Sequence, residues 1–247
     1  MKKIFLLMAV ALPFLFVSCS DDKDEPEIPD NHEYVDLGLP SGTLWATCNV
    51  GANSPEEYGD YFAWGETEPK DIYEWTTYKW CNWICDTVTD HYFIVDVTWY
   101  KYYYKNWVNN TNVKGDNKME LDPEDDAACV NWGPQWRMPT LEQIQELVDK
   151  CYWQWTQKND VNGYLVTGPN GNSIFLPASG ARSSRLYNDG KCSYFWSRTL
   201  CSKDKLAIES ADHEDAYIMF FNWWNNEVWY DRRSDGNTVR AVRAYHK

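Results

Sequence analysis

The chain has 247 residues, enough for one large domain or two small ones, and 44% of them are hydrophobic. It carries 37 acidic against 23 basic side chains, for a net charge of −14. That balance excludes a nucleic-acid partner, whose phosphates need a basic patch, and disfavours anionic lipid head groups.

The first residues do not read as part of a fold. Lys2 and Lys3 precede "IFLLMAVALPFLFV" (Ile4 to Val17), an apolar run too short to match the roughly 20 residues of a membrane-spanning helix. It ends in "FVSC", which resembles a bacterial lipobox. The resemblance implies a signal peptide over residues 1–18, cleavage before Cys19 and lipidation of that cysteine. The following "SDDKDEPEIPDNHE" is charged and nearly devoid of apolar residues, so it cannot bury enough surface to offset its ordering entropy. Residues 19–33 are therefore expected to form an acidic tether. Acidic residues directly after the lipid cysteine look like the surface-export signal of Bacteroidota lipoproteins, which implies a lipid-anchored, surface-exposed protein at the outer membrane. Membrane contact is expected only through that anchor.

"EYVDLGLPSGTLWATCNVGA" (Glu33 to Ala52) predicts two short strands around a tight turn. "SPEEYGDYFAWGETEPK" has turn residues at both ends of an aromatic middle. Residues 71–118 show no helical period and read as an insertion, with high β-propensity in "HYFIVDVTWYKYYYKNW". Next, Thr140 and Gln143 form a T-x-x-Q capping box, with Leu141, Ile144, Leu147, Val148 and Cys151 on one face. The spacing predicts a helix over Leu141–Lys150, flanked by Trp132, Trp136, Trp153 and Trp155 as core residues. "GYLVT", the turn "GPNGN" and "SIFLPA" predict a hairpin. Four more strands are expected over 193–199, 216–224, 227–233 and 237–245, with turns at Asn225-Asn226 and Asp235-Gly236. One main helix with about eight short strands predicts an α+β domain.

Eight cysteines occur. With Cys19 spent on lipid, Cys81 with Cys85 and Cys192 with Cys201 are close enough in sequence for local bridges. No C-x-x-C pair or His pair has zinc spacing, and His32, His91, His213 and His246 are scattered. No metal and no cofactor is expected. Oxygen ligands for calcium could come only from Asp189, Asn225, Asn226 and Glu227, groups common in turns.

The order of several segments resembles a known family. "YVDLGLPSGTLWATCNVGA", "GDYFAWGET", "NWGPQWRMPT", "NGYLVTGPNGNSIFLPASGAR", "YFWSRT" and "VRAVR" look like successive motifs of the Fibrobacter succinogenes major paralogous domain. The resemblance covers residues 34–243, the central segment only loosely. It implies a C-type lectin-like architecture, one main helix on small twisted antiparallel sheets, more distantly similar to the formylglycine-generating enzyme domain. "TEPKD" and "WNNE" are partial echoes of the calcium-lectin loops.

Catalysis has no clear signature. There is no G-x-S-x-G, "GPNGNS" lacks the lysine of a phosphate loop, and with so many acidic residues a carboxylate pair is uninformative. Binding is the favoured reading. "RLYNDGKCSYFW" and "FNWWNNEVWYDRR" mix aromatics with Asn, Asp and Arg, and strand alternation cannot bury every ring. Tyr187, Asn188, Trp223, Trp224, Asn225, Trp229 and Arg232 are the expected contact surface for a glycan or a surface protein. A structural or fimbria-associated envelope protein is the alternative.

Overall fold

The computed structural model describes residues 31–88, 91–103, 116–202 and 214–243, without the side chains of 83–99. Cys19, the signal segment and most of the acidic tether lie outside the described residues. Of that tether, His32 stacks on Trp132 with ring centroids 3.9 Å apart, and the Glu33 carbonyl accepts from Thr47 N.

The fold is sheet-rich, with small antiparallel sheets and two α-helices among the described residues. Strands β1 (Tyr34–Asp36), β2 (Leu44–Ala46) and β13 (Val242–Arg243) form the first sheet, in the order β1-β2-β13. Strands β3 (Cys81–Val88) and β4 (His91–Trp99) form a hairpin that, among the described residues, pairs with no other strand. Helices α1 (Ala127–Trp132) and α2 (Leu141–Lys150) follow. Strands β5 (Tyr152–Lys158), β6 (Val161–Thr167) and β7 (Ser173–Pro177) make a meander. The short pair β8 (Ala181–Arg182) and β9 (Leu186–Tyr187) leads into β10 (Cys192–Leu200), β11 (Asp215–Asn222) and β12 (Asn225–Arg232), a second meander. No helix of the described residues is long and apolar enough to cross a membrane.

Helix α2 forms where its pattern predicts. Thr140 Oγ1 accepts from Gln143 N, and Gln143 Oε1 accepts from Thr140 N, so two of the orphan donors at the helix start are satisfied. Its Ile144 and Leu147 are buried against Phe195, Met219 and Phe221 from one face of the β10–β12 sheet, together with Leu176 and Val166 of the β5–β7 meander. The opposite face packs Trp196, Ala216 and Ile218 against Phe62, Trp64, Trp136 and Met138. The β10–β12 sheet is thus the middle layer, buried on both sides. Two indoles lock it to the N-terminal segment: Trp196 Nε1 donates to the Phe62 carbonyl at 2.7 Å, and Trp64 Nε1 to the Ser197 carbonyl at 2.8 Å.

Several expectations are corrected. Helix α1 was not foreseen; it is only six residues long, and the buried Asp126 carboxylate caps it by accepting from Ala128 N and Cys129 N. Strand β5 follows α2 directly, so Trp153 and Trp155 pack from a strand onto Tyr164 and Phe221. The hairpin turn between β11 and β12 is Trp223-Trp224, two residues before the expected Asn225-Asn226. Asn222 Oδ1 accepts from both Trp224 N and Asn225 N, which makes the asparagine ahead of the tryptophans the one that folds the turn. The turn after β12 likewise falls earlier than Asp235-Gly236, with Asp235 N bonded to the Arg232 carbonyl. Residues 237–245 were expected as one strand; of these, 244 and 245 lie outside the described residues, and among 237–243 Val242–Arg243 belongs to a sheet. The segment before it changes partner at almost every residue: Asn237 pairs with Phe62, Thr238 with Phe195, and Val239 accepts from Val50.

The two local bridges that the sequence left open, Cys81 with Cys85 and Cys192 with Cys201, do not have the strand geometry for a disulfide. Cys81 and Cys85 share β3, while Cys192 opens β10 and Cys201 lies just beyond its end. At about 3.4 Å per residue, an extended strand holds such pairs too far apart to bridge. Burial pushes the Cys81 thiol up to about 12 and Cys151 to about 11, which keeps both protonated and unreactive at neutral pH.

The C-terminal segment holds two fully buried arginines. Arg240 Nε donates to Asn49 Oδ1, its Nη1 to the Ala46 and Thr47 carbonyls, and its Nη2 to the Phe175 carbonyl. Burial pulls its pKa down to about 9, so the guanidinium stays charged at pH 7. Arg240→Ala would leave those acceptors buried without donors. We expect it to cost about 3–5 kcal/mol in chemical denaturation, against less than 1 kcal/mol for a substitution at the exposed Arg185.

Candidate functional site

The seven residues expected to form a contact surface divide into two groups. Trp223 and Trp224 form the tip of the β11–β12 hairpin, 64% and 65% exposed, with ring centroids 4.8 Å apart in an edge-to-face arrangement. Asn225 begins β12 behind them, and its Nδ2 donates to Glu227 Oε1 at 2.7 Å. That internal bond occupies two of the groups considered for calcium.

The second group lies toward the other end of the same hairpin. Tyr187 is half-buried, with its ring 6.3 Å from that of Tyr194. Asn188 takes a left-handed backbone, φ +59°, and its Nδ2 donates to the Tyr194 hydroxyl at 3.2 Å. Burial first, then the charges of Asp231 and Asp235, push the Tyr187 hydroxyl well above the ordinary tyrosine range, while Arg232 opposes the shift. Arg232 itself is exposed, and its backbone N–H bonds Asp231 Oδ1. Tyr187 and Arg232 therefore lie beside a carboxylate pair that the sequence reading did not single out, while Asn188 bonds Tyr194 instead.

Trp229 sits between the groups. It is 45% exposed, pairs across the ladder with Ile218 and stacks on Tyr230 with centroids 5.2 Å apart. Four residues of strand separate it from Asn225, about 14 Å along the hairpin. Trp229 and the tip do not form one continuous aromatic plate.

Asp231 and Asp235 form the most perturbed acidic pair. Burial raises both carboxyls; the Asp231 charge raises Asp235 further, to about 7. Asp231 Oδ2 also accepts from Asn237 Nδ2 at 2.9 Å. Burial and the neighbouring charge both disfavour having the two carboxyls ionised together. Their spacing in "YDRRSDG" was the available signal, but it reads as an ordinary turn.

Three acidic residues outside this surface, Asp122, Glu124 and Asp125, lie close enough together to suggest a cation site. Lys101 supplies the cation itself. Its Nζ lies 2.6 Å from Asp122 and 2.5 Å from Asp125, and Lys118 also pairs with Asp122. The group reads as a structural ion-pair network. Of the four histidines, only His32 has a described side chain, and it is stacked on Trp132.

Comparison with known proteins returned no matching family model, no matching curated protein and no matching solved structure.

The carboxyl pair makes a signed pH prediction. A carboxyl whose folded pKa is raised holds its proton more tightly when folded. Its contribution favours the fold below about pH 4, the unfolded carboxylate range, and is lost as pH rises through the folded value near 7. Denaturation midpoints measured from pH 4 to 8 should show wild type losing stability relative to Asp235→Asn as pH rises. Parallel curves would show that the Asp235 carboxyl is not raised.

Proposed function

We propose that the chain is a lipid-anchored surface protein that binds a glycan or a protein through the exposed aromatics of its β11–β12 hairpin. The observation that carries this reading is the hairpin tip. A two-residue turn is normally given to small polar residues, yet here both positions are tryptophans held mostly in water. Leaving two indoles hydrated forfeits burial worth a few kcal/mol, and nothing in the turn's own geometry needs them. Such rings suit stacking on a sugar face or anchoring a protein contact. The neighbouring Asn225 and Glu227 offer hydrogen bonds beside them. The resemblance of the motifs to the Fibrobacter succinogenes major paralogous domain, and through it to C-type lectin-like folds, supports the same assignment. It agrees with a single longer helix packed on small sheets and with a ligand surface carried late in the chain. No catalytic role is assigned.

The double variant Trp223→Ala/Trp224→Ala should lose about 2 kcal/mol or more of binding on glycan or surface-protein arrays, a drop of roughly thirtyfold, with an unchanged circular dichroism spectrum. Trp229→Ala should cost less, because that ring lies apart from the tip. Identical array profiles for wild type and the double variant would overturn the reading.

A structural or fimbria-associated role is favoured by one observation: among the described residues β12 pairs only with β11, so its outer edge is open. Co-purification with a large envelope assembly, unaffected by the tip variant, would select that role. The anchor has its own test. Cys19→Ser should shift the protein from the membrane fraction to the soluble one, and the wild-type protein should carry acyl mass on Cys19.

A further inference from the structure

We propose a second ligand site, distinct from the aromatic hairpin, in which Arg182 binds the carboxylate of a hexuronic-acid-type sugar. A cavity of about 320 Å³ is lined by Asp60, Tyr61, Lys70, Asp71, Tyr73 and Arg182. That is the lower end of the size range for small-ligand pockets, suited to one sugar ring.

Arg182 is the unusual member. Its Nε is buried without a hydrogen-bond partner, and among the described residues no acceptor or carboxylate pairs with its guanidinium. The guanidinium carbon lies 5.3 Å from the centroid of the Tyr61 ring. Arg233 and Arg240 are satisfied by hydroxyl, amide and carbonyl oxygens, and Arg198, whose Nε also lacks a hydrogen bond, pairs with Glu120 through Nη2 at 3.0 Å. A half-buried charge with no acceptor is costly, so the exception calls for a reason.

The surroundings are rigid, as a binding site requires. Arg182 and Gly236 exchange two backbone hydrogen bonds of 2.8 Å, and Arg182 pairs with Leu186 across β8 and β9. Gly236 lies so close to Tyr73 that a Cβ there would meet the ring at 2.8 Å. Tyr73 donates through its hydroxyl to the Tyr61 carbonyl, and Tyr61 to the Ser179 carbonyl. The rotamers of both rings are thereby fixed. Ladder alternation turns Arg182 to the face opposite Tyr187, so this cavity is separate from the Tyr187 cluster.

The charge pattern selects the ligand class. The Arg182 fork is matched by a carboxylate or a phosphate. Lys70 adds little, because Glu66 neutralises it at 2.8 Å. Asp60 and Asp71 are exposed at the rim. They would repel a phosphate dianion but would accept hydrogen bonds from hydroxyls. A monoanion with its carboxylate at one end and hydroxyls at the other meets all three groups, and a hexuronic acid has that layout. Tyr61 and Tyr73 line the cavity as buried, fixed rings that leave little open aromatic face.

The test is calorimetric titration of the purified full chain with glucuronate and galacturonate, against glucose, inorganic phosphate and glycine as probes. Uronate should bind and the three controls should bind at least about tenfold more weakly. Arg182→Gln should weaken uronate binding by about tenfold or more, and Arg182→Lys by less, since lysine keeps the charge but loses the fork. The exposed Asp71→Asn should weaken it severalfold with an unchanged melting temperature, so the test survives a misfolded Arg182 variant. Trp223→Ala/Trp224→Ala should leave uronate binding intact, which separates this site from the hairpin surface. Uronate affinity equal in wild type, Arg182→Gln and Asp71→Asn would overturn the proposal, as would glycine or phosphate binding as tightly as uronate.

Discussion

A guanidinium removed from water must find its acceptors inside the protein, and Arg240 finds four of them on two separate parts of the chain. Asn49, Ala46 and Thr47 belong to the N-terminal segment, and Phe175 to the β5–β7 meander. Seven residues earlier, Arg233 does the same for another region: Nε donates to the Tyr78 hydroxyl, Nη1 to the Tyr102 carbonyl, and the group lies over the Trp64 ring at 4.9 Å. The extended segment between the two arginines therefore acts as a strap. It hydrogen-bonds in turn to Arg182, Phe62, β10 and Val50, so its partners come from distant parts of the sequence. None of these bonds tolerates displacement of the segment, because a displaced arginine would be a buried charge without acceptors.

The strap explains how a chain of very short sheets holds a firm surface. Sheets of two or three strands are marginal alone. Here β10–β12 is clamped between α2 with the β5–β7 meander on one face and the Trp64, Trp136 and Trp196 cluster on the other. Indole N–H groups tie the layers through backbone carbonyls. With most rings consumed by this core, the indoles left in water stand out. Trp223, Trp224 and Trp229 are carried by a hairpin whose base is rigid, which lowers the entropy cost of presenting them to a partner. The same strap supplies Gly236 beside Arg182 and follows Asp235 beside Asp231, so it also shapes the cavity and the carboxyl pair.

Local chemistry made some elements legible. Helix α2 could be read to the residue because the capping box and the apolar stripe are both encoded within twelve consecutive positions. The β6–β7 hairpin was readable from "GPNGN" and its flanking alternation. Helix α1 was not, because its cap, Asp126, works through burial and a bond to Met138 that no local pattern reveals. The Trp223-Trp224 turn was missed because its Asx oxygen comes from Asn222, while Asn225 and Asn226 looked like better turn formers. Of the expected contact residues, exposure of the tryptophans followed from alternation in an aromatic-rich strand. The gathering of Tyr187 and Arg232 on Asp231 and Asp235 did not.

By itself, then, the sequence determined the strand-rich character, the single longer helix, the acidic surface and the presence of surplus aromatics late in the chain. Each of these depends on periodicity, composition or turn residues within about ten positions of one another. Only the tertiary structure decided which aromatics are spare, which arginine is left without an acceptor and which carboxyls are raised by burial. Those properties depend on desolvation and on neighbours more than a hundred residues apart, as between Arg240 and Asn49 or Arg233 and Tyr78, and a one-dimensional pattern carries no record of them.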